Sequence, residues 1–300
     1  MLELLEIFVN NILPILMIAS VGFIVGRLRN IPPDPVSNLI FYVSSPSFVF
    51  YSLYTSEIGG EEFATLFFAT MTFQLIIAGI AYGIMRIQTK NRIQRAAVIN
   101  ASFCINAGNF GLSLVLFAFN DAVLSRAVVV MISSVALHYS LGVYVASSGS
   151  ASITKSLTNV LKTPAVYAVI IAFLLRGTDT ELPLALERSV KMLRDMALPL
   201  MLMMLGLQLG RVVKFAAFRP VFTGTILKLL VAPFIATGIA LLLNLPPEAY
   251  IAFVLQASMP TAVLTIIFAT QFGLDRNLSL NLIMATTFIS PITLSVLILL

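Results

Sequence analysis

Ten long apolar runs, each closed by charged residues or turn formers, divide the chain. They fall at about 4–26, 36–54, 63–85, 94–119, 125–146, 159–175, 190–210, 220–243, 248–272 and 277–300. The hydrocarbon core of a bilayer takes roughly 20 residues of apolar helix, so each run predicts one membrane-spanning helix. Ile31-Pro32-Pro33-Asp34-Pro35, Glu57-Ile58-Gly59-Gly60-Glu61, Ser147-Ser148-Gly149-Ser150 and Leu245-Pro246-Pro247 punctuate the runs as loops. The second run is short, and the seventh carries charges at one end.

Composition narrows the class. Of 300 residues, 59% are apolar and 10% charged, with a mean hydropathy of +1.01. A soluble domain carries about 25% charged residues, so a soluble fold, a disordered chain and a nucleic-acid binder are all excluded. Ten spans leave room only for short loops, so no soluble catalytic or nucleotide-binding domain is expected. Cys104 is the single cysteine and forms no intrachain disulfide. Glu3 and Glu6 stand where a signal peptide is basic, so the first run is expected to remain as a span.

Charge then sets direction. Loops after odd-numbered runs hold 12 of the 18 basic residues against two acids, Asp34 and Asp275. The opposite loops hold Arg126, Arg176, Arg188, Lys191 and Arg194 against eleven acids. Cytoplasmic loops are rich in Lys and Arg, which predicts a multi-pass protein of the cell membrane with both termini outside. The net charge of +5 follows from that topology and needs no nucleic-acid surface.

The chain also repeats itself. Pro14 and Pro164 open comparable runs, and Pro46 matches Pro199. Gly79-Ile80-Ala81 recurs as Gly238-Ile239-Ala240, Val98-Ile99-Asn100-Ala101-Ser102 as Val254-Leu255-Gln256-Ala257-Ser258, and Met131-Ile132-Ser133-Ser134-Val135 as Met284-Ala285-Thr286-Thr287-Phe288. Five matches keep the same order at offsets of 150–159. Five spans is an odd number, so the second copy enters the membrane from the opposite face. The expected fold is all-α and integral to the membrane, with ten helices in two inverted repeats. Residues 1–146 form the first, 147–158 a cytoplasmic linker and 159–300 the second. Inverted repeats of this kind build secondary transporters whose ligand site lies at the midplane.

Two spans carry helix-breaking residues at corresponding places. Asn106-Ala107-Gly108-Asn109-Phe110-Gly111 interrupts the fourth run with poor helix formers. Ser258-Met259-Pro260-Thr261 interrupts the ninth, where Pro260 has no N–H and displaces the Gln256 carbonyl from its helical bond. Crossed broken helices would aim two half-helix N-termini at one point and make an anion site of backbone. Asn106, Asn109, Ser102, Gln256 and Thr261 are candidate side-chain donors, with Gly108, Gly111, Ser258 and Pro260 shaping the site. The alternative is that the glycines are packing seams and Pro260 a kink. Ser44, Ser45 and Ser47 flank Pro46, and of these Ser47 joins the candidates as a cavity-facing group. The other prolines, Pro233 among them, are read as structural.

Ionisable groups within the spans are few. His138 binds a proton or an anion, or else is a helix residue with satisfied polar atoms. Lys228 is either a counter-charge for an anion or, the reading favoured here, snorkels to the cytoplasmic face. No Asp or Glu lies mid-membrane, so the paired carboxylates of a cation antiporter are missing. One His builds no metal site, and neither a zinc-protease nor a nucleophile-elbow motif occurs. Gly149–Ser156 superficially resembles a phosphate-binding loop, but Thr154 replaces its second Gly. No cofactor, metal or catalytic residue is expected.

Asn106-x-Gly108-Asn109-x-Gly111, Ala197-Leu198-Pro199 with Leu205-Gly206-Leu207, and Met259-Pro260-Thr261-Ala262-Val263 resemble the auxin efflux carrier family along the whole chain. The resemblance implies ten helices in two inverted repeats, similar to bile-acid symporters and sodium/proton antiporters, and a homodimer. Ser113 stands where that family often has Pro, and Leu264 where it often has Asn, which weakens transfer of substrate identity. The function expected is a secondary transporter moving a small organic anion, a carboxylate, outward across the lipid bilayer. Helices 3–5 and 8–10 would form a mobile unit working by an elevator mechanism, and 1, 2, 6 and 7 the scaffold. The alternative is a receptor that binds a lipid or hydrophobic ligand without transport.

Overall fold

The computed structural model describes residues 2–147, 163–178, 180–210 and 218–299. The linker beyond Ser147, including Gly149–Ser156, and the start of the sixth run lie outside them. Every regular element among the described residues is a helix. Helix α1 spans Leu2–Arg29, α2 33–54, α3 Gly60–Gln88, α5 Asp121–Ala146, α6 Pro164–Gly177, α8 Phe218–Leu242 and α10 Arg276–Leu299. Helix α4 has two halves, Arg92–Phe103 and Ala107–Ala118, and so has α9, Pro247–Ala257 and Leu264–Phe272. Helix α7 joins Leu184–Asp195 to Ala197–Leu209 at Met196. Among the described residues α1, α3, α5, α8 and α10 are each long and apolar enough to cross a membrane.

Capping residues fix where helices begin and end. Asn91 Oδ1 accepts from the Ile93 and Gln94 N–H groups at the start of α4. Asn120 caps α5 through Val123 N–H, and Asp275 Oδ1 accepts from Leu278 N–H at the start of α10. Gly273 ends α9 in the left-handed region at φ 67°, where a side chain would be strained. The first part of α7 is charged and buries no residue completely. That explains why its helix begins six residues before the apolar run that signalled it.

Packing follows small residues. Helix α1 lies against α7, and α2 against α6 and the first part of α7. A Cβ on Gly206 would sit 1.8 Å from Ala19 O, and one on Gly22 2.2 Å from Met203 O, so the α1 and α7 backbones touch. Helix α3 packs on α4 and α5, the first half of α9 on α5 and α8, and α10 on α8 and the first half of α4. Phe73 and Phe253 meet edge to face at 6.0 Å inside this second group. The groups meet where α7 touches the second half of α4, α2 touches α5, and the start of α1 touches α10 and the second half of α4.

The α4 interruption is displaced from the sequence expectation. Non-helical backbone falls at Cys104–Asn106, extended at Cys104, and Ala107–Leu112 is already helical, wound as a wide π-type turn. Gly111 packs directly on the amide end of the Gln256 side chain of α9. In α9 the Gln256 carbonyl displaced by Pro260 accepts from Met259 N–H at 3.2 Å, so the break satisfies itself locally.

Candidate functional site

The two breaks bind each other. Ile105 and Thr261 face one another in an isolated antiparallel pair. Asn106 N–H donates to Pro260 O and Ala262 N–H to Cys104 O, both at 2.9 Å. Exchanging 105 with 261 maps this pattern onto itself, so a local two-fold axis passes through the pair. The N–H groups pointing away from it match as well. Ile105 N–H donates to His138 Nε2 on α5 at 3.3 Å, and Thr261 N–H to Thr286 Oγ1 on α10 at 3.1 Å. Because His138 Nε2 accepts, the ring proton sits on Nδ1 and the imidazole is neutral.

Beside the crossover lies a cavity of about 410 Å³ between the two helix groups. The second helix group supplies Phe63 and Phe67 of α3, Asn106, Gly108 and Asn109 of α4, His138 and Tyr139 of α5, and Val263 and Leu264 of α9. Ser37, Phe41 and Ser45 of α2, Val169 of α6, and Met204 and Gln208 of α7 line it from the first group. Three wide turns deliver residues here, at Ile40–Ser44, Ala107–Leu112 and His138–Gly142. Such turns recur at functional sites because they re-aim a helix face. Among the described lining residues none carries a formal charge. Two polar atoms are buried without a partner, Asn106 Nδ2 and Gln208 Oε1. The second half of α4 begins at this wall, which places the positive end of its dipole there.

The structure sorts the candidate residues. Asn106, Gly108, Asn109 and His138 line the cavity together. Gly111 lies behind them against Gln256, whose amide Oε1 and Nε2 are both buried and unpartnered. Ser102, Ser258, Pro260 and Thr261 build the crossover and are absent from the cavity wall. Ser102 Oγ donates to Val98 O, Ser258 Oγ to Val254 O and Thr261 Oγ1 to Ala101 O. Ser47 is off the wall too and donates to Val43 O at 2.8 Å. Ser45 and Ser37 line it instead, on the α2 face that also carries Phe41. Lys228 does not snorkel. It is fully buried, and Nζ donates to Ser102 O at 3.2 Å. Its α8 turn, Leu227–Val231, is wide and packs inward on α4 and α10, which holds the side chain in the protein interior. Leu205-Gly206-Leu207 belongs to the α1–α7 contact, not the site.

A second, polar cavity of about 520 Å³ lies between the C-terminal end of α2 and the N-terminal ends of α5 and α7. Arg126 and Arg194 line it, the first paired with Glu62 and the second with Asp195 and, at 4.0 Å, Asp121. The Arg194 guanidinium also stacks over Phe48 and Tyr51. The Asp121 contact bridges α5 and α7, one from each helix group.

Apolar helices, two of them broken and bonded to each other beside a cavity, define a membrane transporter. Residues 7–298 match the membrane transport protein family, in which auxin efflux carriers are grouped, and the chain belongs to it. It is 25% identical over 295 residues to an uncharacterized transporter of Methanocaldococcus jannaschii, covering 95% of this chain and 96% of that one. An uncharacterized transporter of Methanothermobacter thermautotrophicus is 24% identical over 292 residues, covering 95% of each. The family and both relatives are transporters rather than enzymes, and the chain is a multi-pass membrane protein.

Proposed function

We propose that this protein is a secondary transporter carrying a small organic anion, a carboxylate with an apolar body, out across the cell membrane. One observation carries the reading. Asn106 Nδ2 is buried without a partner at the cavity wall, beside the N-terminal end of the second half of α4. An unmade buried hydrogen bond costs about 1–3 kcal/mol, and a carboxylate oxygen at that wall would accept from it. Phe41, Phe63 and Val169 suit an apolar remainder. Binding is by dipoles and amides, since the described wall offers no guanidinium or ammonium group.

Ten spans in two inverted repeats fit the local two-fold of the crossover. So do the N-caps Asn120 and Asp275, 155 residues apart at the starts of α5 and α10. The cavity lies between the groups α1, α2, α6, α7 and α3–α5, α8–α10. Movement of the second group against the first would expose it to alternate faces in the manner of an elevator. Both termini are taken as outside on the charge distribution, and dimerisation through the first group rests on the family alone. Without a mid-membrane carboxylate the carrier needs no coupled ion, because an inside-negative potential drives one anion outward with about 2.3 kcal/mol per 100 mV.

A second reading draws on the largely apolar wall: the fold would bind a hydrophobic ligand as a receptor and move nothing. Purified protein in proteoliposomes separates the two. A transporter exchanges labelled carboxylate across the bilayer, whereas a receptor binds ligand without flux.

A further inference from the structure

The crossover holds a charge that the reading above does not use. Lys228 is 0% exposed, and no carboxylate among the described residues lies within ion-pair distance of it. Burying an ammonium costs several kcal/mol unless something compensates it. Here the compensation is a helix end. Nζ donates to Ser102 O in the last turn of the first half of α4, where the macrodipole is negative and carbonyls lack helical partners. The neighbouring acceptors are already used: Ala101 O takes Thr261 Oγ1–H, and Cys104 O takes Ala262 N–H. Ser102 stands three residues before Ile105 on the cavity wall, so the Lys228 charge lies behind that wall. In transporters with broken helices, the C-terminal ends of half-helices are where coupling cations bind.

We propose that the Lys228 ammonium is a built-in cation that takes the place of a co-transported one. Resting on the carrier reading, this deepens it. The ammonium neutralises the negative end of the first half of α4, so the crossover assembles without sodium. It also sets a positive charge behind the cavity wall, which selects anionic over neutral ligands. Its cost in stability is tolerated because the charge acts on the ligand.

Thermal unfolding of the detergent-purified chain, in sodium chloride and in choline chloride at equal ionic strength, tests the substitution without any ligand. The wild-type midpoint should be the same in both salts. Lys228→Ala should unfold several degrees lower in choline and recover in sodium, while Lys228→Arg should need no sodium. A Lys228→Ala midpoint indifferent to sodium, or a wild type stabilised by it, overturns the proposal. Lys228→Gln keeps length and one donor and guards against an unfolded alanine variant. Its apparent affinity for a carboxylate, read as ligand-induced stabilisation, should fall about tenfold or more, and an unchanged affinity overturns the proposal equally. If no carboxylate stabilises the wild type, the carrier reading fails alone, because the salt comparison still reports on Lys228.

Discussion

Asn106→Ala separates stability from binding in opposite directions. The wild-type Nδ2 is buried with no acceptor, an unmade bond worth about 1–3 kcal/mol against the folded state. The backbone N–H of Asn106 bonds to Pro260 O and its carbonyl to Gly111 N–H, and both survive the substitution. Truncation should therefore leave the unliganded protein as stable as the wild type, or more so. A carboxylate bound at this amide makes a charge-assisted hydrogen bond of about 1.5–3 kcal/mol. At 1.4 kcal/mol per decade, its loss weakens binding roughly tenfold to a hundredfold. Thermal unfolding against a panel of mono- and dicarboxylates reads both quantities in one experiment. The reasoning is refuted by an alanine variant that unfolds several degrees earlier yet binds as well as the wild type, since Asn106 would then be a packing residue.

Other consequences follow from the same geometry. Pro260→Ala lets α9 run on as a helix and withdraws the carbonyl that Asn106 N–H uses, so binding should fail while the protein stays monodisperse. Pro233→Ala, in the body of α8, should leave affinity within about twofold of wild type by the same assay. Gly206→Ala places a methyl on the Ala19 carbonyl and should cost about 1–3 kcal/mol or more of overpacking, seen as early unfolding in detergent. In a Cys104→Ala background, a cysteine at Lys90 should react only with permeant reagent in sealed, right-side-out cells, and one at Glu57 with impermeant reagent as well. The reverse pattern would invert the topology.

Much of this architecture is legible in the amino-acid sequence. Apolar run lengths locate the helices because bilayer thickness imposes them, and Pro260 marks the α9 break because it has no N–H to give. The α4 break was misplaced by a few residues for a tertiary reason. Cys104 and Ile105 carry no local breaking signal, and it is pairing with Thr261 that holds them extended. Gly108 and Gly111 both lie in a wide helical turn, and Gly111 also packs closely on the Gln256 side chain. Ser47 stands off the cavity face by helical phase, since two residues beyond Ser45 is more than half a turn. Lipid, core and cavity all accept apolar side chains, so Phe41, Phe63 and Met204 gave no sign of lining a site. Lys228 was visible as a lone charge, but its helix-end partner emerges only when α8 packs on α4.

Flux bears most directly on the central claim. Proteoliposomes loaded with a carboxylate that stabilises the purified protein, and set at an inside-negative potassium diffusion potential, should release it faster than protein-free vesicles. Release should slow when the potential is collapsed and continue when choline replaces sodium. Binding with no release above the protein-free rate, at any potential, would contradict transport and leave a receptor.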